Sequence, residues 1–416
     1  MSSFTLRKTC ASCGSSELQE IIDYGQIPLA GCFPKEMELD SVETYPFALL
    51  YCASCTLVQA NGTVDPDLLF KDYRYLSSVG LSGHFNDLAS HVHEHFGLTR
   101  DSRIVEIGAN DGVFLVPMME LGHDIVGFEP SDNVSRIATE RGCRIFNEYF
   151  SLASATKHLE AHSVDLLVAC NCFAHIDGIN DVVQGISHAL RPEGHAVIEV
   201  HYVKSLVEEL QYDFAYHEHI YYYSVTALSN LFARHGMTVV DFEEIPVHSG
   251  SLRVYVRNEA VEVPSKVSEC MDAEAQGVAA WDCYTSYARD VLLHKQQLME
   301  LLRSLKAKAL RVVGYGASGR ANVLCNFCGI DSSLVDYIVD ESPERYDRFI
   351  PVRNIPIKRK EYFDSDSSID YVLILAWNYS KAIIRKLQDR DFRFIIPFPQ
   401  PREVHDIEDV DEMISL

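Results

Sequence analysis

Two stretches of the chain leave little freedom in how it can fold: Arg103–Gly112 (RIVEIGANDG) and Leu310–Gly319 (LRVVGYGASG). Each is a short apolar run that closes on glycine and opens into a helical pattern. Each is followed, about twenty residues on, by an acidic residue at the end of another apolar run: Glu129 after Asp124–Phe128, and Asp340 after Val335–Val339. Strand, tight glycine turn and helix in that order are the unit of a parallel, doubly wound sheet, whose ligand crevice opens at the C-terminal ends of the strands. The alternation continues after the first unit, with strand-like runs at Asp165–Cys170, leading into Asn171, and at Gly194–Val200.

A chain of 416 residues has room for two to four domains at roughly 100–200 residues each. With 47% hydrophobic and 23% charged residues, folded structure is expected nearly end to end. The net charge of −24 disfavours nucleic acid and anionic membrane surfaces as partners. No apolar run approaches the roughly 20 residues of a membrane span, and the opening MSSFTLRKTC lacks the apolar stretch of a signal peptide, so a cytoplasmic location is expected.

Structural disulfides are rare in that compartment, so the twelve cysteines call for another reading. Cys10-Ala-Ser-Cys13 and Cys52-Ala-Ser-Cys55 are two Cys-x-x-Cys knuckles, and four thiolates presented this way suit a closed, structural, tetrahedral zinc. The gap between the pairs is longer than in common zinc ribbons, and reduced thiols or a redox pair are the alternative. His91, His93 and His95 resemble a metal cluster, but residues two apart on a helix point to different faces, so a solvated helix face is expected.

Tyr216–Ser224 (YHEHIYYYS) crowds titratable groups just beyond the fifth strand. An imidazole beside a carboxylate can abstract a proton near neutral pH, and tyrosine hydroxyls can stabilise an oxyanion; a partly exposed polar loop is the competing reading. Between Pro264 and Leu310, Tyr284, Ala288, Val291, Leu298, Leu302 and Leu305 fall at helical spacing and predict an amphipathic connector. The acidic stretch from Glu403 to Leu416 is expected to be loosely held. Read alone, Gly314, Gly316, Gly319 and Asp340 fit a nicotinamide dinucleotide site, and an NAD-dependent sugar oxidoreductase is one alternative function. A zinc-lobed binding protein without catalysis is another.

EIGANDG, GFEP, VACN and LRPEG together resemble the successive motifs of class I S-adenosylmethionine-dependent methyltransferases. That resemblance implies a cofactor crevice lined by Glu106, Gly108, Asn110, Asp111, Gly112 and Asn171, with Glu129 holding the ribose. The fuller series YRYLSS, EIGANDG, NCFAHI, YHEH, HSGSLR, GYGASGR, NFCGI and LAWNY, behind the cysteine knuckles, is similar to the sugar C-methyltransferases of deoxysugar biosynthesis over nearly the whole chain. It implies a zinc-binding lobe (1–68), a doubly wound methyltransferase domain (69–260), and a helical connector with a Rossmann-like domain for the nucleotide-sugar (261–416). The implied reaction methylates carbon 3 of a 4-keto-6-deoxysugar linked to thymidine or guanosine diphosphate. His219 is the expected base and Glu218 the competing one, with Tyr75, Tyr216 and His175 also at the reacting centre. Ser78, His248, Arg253, Tyr315, Gly316, Ser318, Arg320 and Asn378 fall at implied substrate-binding positions. His217 stands where some relatives have an acidic residue.

Overall fold

A computed structural model describes residues 3–71 and 76–406. Tyr75 lies outside the described residues. The chain divides into two compact units: one built from the segment up to Gln19, Leu50–Lys204 and His219–Trp281, the other from Glu20–Leu49, Ser205–Glu218 and the chain from Asp282 on.

The first unit is organised on a seven-stranded sheet. Its strands are β1 (Arg103–Ile107), β2 (Asp124–Phe128), β3 (Ile145–Phe146), β4 (Val164–Cys170), β5 (Leu190–His201), β6 (Thr238–Ile245) and β7 (Ser251–Arg257), in the order β6-β7-β5-β4-β1-β2-β3. From β3 to β5 all neighbours are parallel. The expectation of a parallel sheet needs amending at one edge: β7 runs antiparallel to both β5 and β6. The connection Pro246–Gly250 is too short for a crossover helix, so those strands must form a hairpin.

Helix α1 (Ser78–His95) lays Phe85, Leu88, Ala89 and Val92 on the core that also holds Ile104, Phe114, Leu166 and Val197. That spacing is one face of a helix. Among the described residues the three histidines near its end do not gather as a metal set; His95 is exposed and His91 and His93 are half-buried, each with a ring partner. His91 Nε2 is 2.8 Å from the Tyr255 hydroxyl, His93 Nδ1 is 3.0 Å from His123 Nε2, and His95 stacks on Tyr255 at 5.2 Å. The two cysteine knuckles also belong to this unit, where Phe4–Leu6 pairs with Gly62–Val64 and Val58–Ala60 pairs with Tyr221–Tyr222.

The second unit carries its own seven-stranded sheet. Its strands are β8 (Val312–Tyr315), β9 (Ile338–Asp340), β10 (Phe349–Ile350), β11 (Ile355–Arg359), β12 (Tyr371–Ile374), β13 (Arg393–Ile396) and β14 (Arg402–Val404), ordered β10-β11-β9-β8-β12-β13-β14. The middle five are parallel and both edge strands are reversed. Glu403, expected in a loose tail, is therefore held in a strand. The expected connector breaks into two helices, Ser265–Glu274 in the first unit and Trp281–Ala307, which lies in the second unit from Asp282 on. The second helix buries Tyr284, Val291, Leu298, Leu302 and Leu305 as its periodicity requires, and adds Tyr287 and His294. Among the described residues no helix is long and apolar enough to cross a membrane.

Candidate active site

In the first unit β1 stops because the backbone turns sharply at Gly108 (φ +70°), where a Cβ would stand 2.7 Å from Cys172 Cβ. The amides of Gly108 and Ala109 donate to the Phe128 carbonyl at 2.8 and 3.1 Å. Glu129 then clamps the loop: Oε2 accepts from the Asn110 amide at 2.8 Å and Oε1 from the Ser131 amide at 2.9 Å. Burial raises its carboxyl, and those amides oppose the rise.

Two further carboxylates lie beneath the same loop. Glu106 is only 2% exposed, and its Oε2 has no hydrogen-bond partner among the described residues. Burial, then the charges of Glu129 and Asp111, push its carboxyl well above the usual range. Asp111 is fully buried with Arg141 beside it at 3.2 Å. Three carboxylates against one guanidinium leave an acidic cradle with three oxygens, of Glu106 and Asp111, lacking a hydrogen-bond partner among the described residues; it is suited to a ligand carrying cationic groups, and the sulfonium and amino groups of S-adenosylmethionine meet that description. Asn171 is held at φ +55°, its amide donating to the Glu199 carbonyl at 2.8 Å.

Beyond β4 the chain places His175 under Phe70, with ring centroids 5.6 Å apart and planes within 9°. The His219 ring lies 5.1 Å from that of His175. Desolvation and the nearby His248 charge lower His175 to about 4, so its imidazole is neutral at physiological pH. His248 sits in a turn where His248, Ser249 and Gly250 all have positive φ.

The division between the units falls inside the histidine-rich motif, between Glu218 and His219. On the second unit's side, His217 is a core residue, buried against Tyr45 and Phe47 at 5.9 and 5.0 Å, and burial lowers it to about 4. The Oε2 of Glu218 is buried without a partner among the described residues, and desolvation raises the carboxyl to about 7. Tyr216 packs its ring 6.0 Å from Phe214.

The implied substrate residues are divided between the two units. Ser78 Oγ accepts from Arg141 at 3.4 Å. Arg253 is buried and engaged within the first unit, with Glu199 at 2.6 Å and Glu243 at 3.0 Å, while His84 takes the other oxygen of Glu199 at 2.8 Å. In the second unit Gly316 (φ +94°) turns where a Cβ would meet Ala376 Cβ at 2.6 Å. Ser318 caps the helix Gly319–Cys328 by accepting from the Ala321 amide at 3.2 Å. Tyr315 donates to Glu341, and Asn378 is exposed. Arg320 is committed to Asp213 by two hydrogen bonds of 3.0 and 2.9 Å, with its guanidinium 4.7 Å from the Trp377 ring and 5.2 Å from that of Phe214. Asp213 and the Glu199–His84 pair escape sequence reasoning because no local pattern marks a buried charge whose partner lies far away in the chain.

The cysteines do converge. Gly14 (φ +76°) and Thr56 (φ +63°) turn the chain just after each knuckle, and their amides return to the carbonyls of Cys10 and Cys52 at 2.9 Å. All four sulfurs lie within 4.8 Å of one another, with Cys10–Cys55 at 3.5 Å and Cys13–Cys52 at 3.6 Å. A tetrahedron with Zn–S bonds of about 2.3 Å has edges of about 3.8 Å, so a zinc ion fits. The Cys55 contact holds the Cys10 thiol down to about 5, and the same contact pushes Cys55 up; a central dication removes that competition.

Residues 10–70 match the family model "Putative zinc binding domain", residues 82–241 that of a methyltransferase domain, and residues 246–399 that of the C-methyltransferase C-terminal domain. C-methyltransferase NovU of Streptomyces niveus is 32% identical over 405 residues, 95% of this chain and 96% of that protein. Among solved structures, the PH0226 protein of Pyrococcus horikoshii OT3 is 13% identical at a TM-score of 0.37, covering 46% of this chain and 97% of its own. The 1,6-didemethyltoxoflavin-N1-methyltransferase of Burkholderia thailandensis, solved with S-adenosylhomocysteine, is 18% identical at a TM-score of 0.33, covering 42% and 78%. The assignment rests on the full-length relative and the three family models, which exclude both the nicotinamide oxidoreductase and the non-catalytic reading: the chain belongs to the S-adenosylmethionine-dependent C-methyltransferases, with a zinc-binding N-terminal domain.

Proposed function

We propose that the chain methylates carbon 3 of a 4-keto-6-deoxysugar carried on thymidine or guanosine diphosphate. Methylating carbon requires a carbanion equivalent, and a ketone beside the reacting carbon makes its C–H acidic enough for a side-chain base. The observation that carries the reading is the His175–His219 ring pair, in the same unit as the acidic cofactor cradle. His175 is too weakly basic to keep a proton, so His219 takes it from carbon 3. Tyr75, Tyr216 and neutral His175 donate hydrogen bonds toward the enolate oxygen and neighbouring hydroxyls. S-adenosylmethionine, when bound, supplies an electrophilic methyl group. Glu106, Gly108, Asn110, Asp111, Gly112 and Asn171 line its crevice and Glu129 faces its ribose. In the second unit, Tyr315, Gly316, Ser318 and Asn378 are offered to the nucleotide diphosphate, and in the first Ser78 and His248 to the sugar; Arg320 and Arg253 are held by Asp213 and Glu199 and are left out of the proposed contacts. The corresponding domains are 1–68, 69–260 and 261–416.

Incubation of thymidine- and guanosine-linked 4-keto-6-deoxysugars with S-adenosylmethionine should add one methyl group, read by mass spectrometry. In deuterated water the wild type should exchange the hydrogen on carbon 3, and His219→Ala should lose exchange and methylation by about 10²–10⁴-fold while keeping cofactor affinity. Should His219→Ala stay active while Glu218→Gln is dead, the base is Glu218. In that case kcat/KM of the wild type rises as pH passes through about 7, because the carboxylate is the active form.

A further inference from the structure

The segment Asp65–Lys71 crosses the rim of the first sheet and is tied down at both ends. Asp67 Oδ1 accepts from the Tyr149 hydroxyl at 3.1 Å, just beyond β3. Lys71 Nζ reaches the Pro130 carbonyl at 3.4 Å and the Asp132 carboxylate at 3.5 Å, and the Asp132 amide returns to the Lys71 carbonyl at 3.3 Å. Pro130 and Asp132 directly follow Glu129, so these contacts hold the strand ends where a doubly wound sheet binds its ligand. One residue before Lys71, the Phe70 ring lies parallel on His175, which in turn stacks on His219.

We propose that Asp65–Lys71 is a latch over the cofactor rim and that Phe70 at its end is a positioning residue, fixing the His175 and His219 rings for proton removal. The first half rests on the rim contacts alone; the second rests on the proposed role of His219. Three rings in a row leave His175 little freedom to tilt, and Phe70 keeps water from one of its faces. Among the described residues, the titratable groups facing His175 are His219 and His248.

The experiment uses full-length protein and two kinds of readout. Calorimetry with S-adenosylmethionine on Tyr149→Phe should show affinity falling by roughly 2–5-fold, as expected for one partly exposed hydrogen bond. Phe70→Ala should keep cofactor affinity, lower turnover by roughly 10–100-fold, and let the His175 imidazole titrate by NMR closer to the ordinary value of about 6.5 instead of about 4. Phe70→Tyr, which keeps the ring, should restore both. Phe70→Leu replaces Phe70→Ala if the latter does not fold, and should retain part of the low titration. Unchanged cofactor affinity in Tyr149→Phe overturns the latch. An unmoved His175 titration overturns the positioning role, whatever happens to turnover. Because affinity and titration are measured without sugar, they stand even if no 4-keto sugar is methylated, a result that would sink the proposed substrate instead.

Discussion

The two glycine turns form a natural pair for comparison, because their backbones do the same thing and their charges do not. Glu129 takes the amides of Asn110 and Ser131; Asp340 takes those of Ala317 and Ser342 at 2.6 and 2.8 Å. Gly108 packs against Cys172 and Gly316 against Ala376, each just past the neighbouring strand. The acid at the end of the second strand is thus a loop clamp in both units, whether or not it also meets a ligand. What separates them lies two residues before the glycine. There the first unit buries Glu106 with an oxygen unpartnered among the described residues, and the second has Gly314. The second unit's nearby cation, Arg320, is satisfied by buried Asp213. One turn is left with a buried carboxyl whose ionisation is suppressed until a cationic ligand arrives; the other has its nearby cation internally neutralised.

The sharpest way to break this contrast is Arg320→Ala. If the arginine is committed to Asp213, its loss leaves a buried carboxylate without its counter-ion, held among the described residues only by the Trp377 indole N–H at 2.8 Å, and costs about 3–5 kcal/mol of stability, visible as a large drop in the denaturation midpoint. A variant of normal stability that no longer binds nucleotide-sugar would instead show Arg320 to be a substrate group.

Next in size is the pair Glu129→Ala and Asp340→Ala. Losing charge-assisted hydrogen bonds at about 1.5–3 kcal/mol each should weaken S-adenosylmethionine binding tenfold or more in the first variant and leave it unchanged in the second. Equal affinities in calorimetry would erase the distinction between the turns.

The smallest effect concerns Glu106→Gln. The folded carboxyl titrates above its unfolded value, so between those two values the native state binds the extra proton, and stability of the ligand-free protein falls as pH rises through that window. The glutamine variant should be less sensitive to pH and more stable near pH 8 by about 1 kcal/mol, roughly 2–4 °C in Tm, while binding the cofactor less well. A melting temperature that rises with pH in the wild type, and not in the variant, would show that the sign is wrong.

Much of this was legible along the chain. β2 ends where the Asp124–Phe128 run ends, β4 begins one residue before Asp165, and the buried face of Trp281–Ala307 follows its apolar spacing. These are local consequences of side-chain periodicity and glycine geometry. The two Cys-x-x-Cys knuckles announced a tetrahedral metal set because each knuckle already fixes half of it.

Other features had no local signature. Whether an ionic group faces a ligand or a partner depends on what is buried beside it, and that is settled by contacts between residues far apart in the chain. Arg253 and Arg320 read as ligand-facing cations in the sequence and are found paired with Glu199 and Asp213. His217, His219 and Glu218 read as one cluster, yet His217 is core, His219 stacks on His175, and the boundary between units runs between Glu218 and His219. The reversed strand β7 belongs to the same class, decided by the length of a connection and not by the strand's own residues. The sequence determined the strand–turn–helix units, the two halves of the metal set and the family, because the first two rest on spacing within a few residues and the third on short motifs read in order along the chain. Tertiary structure alone decided which charges are neutralised, because desolvation and pairing exist only once distant segments have packed.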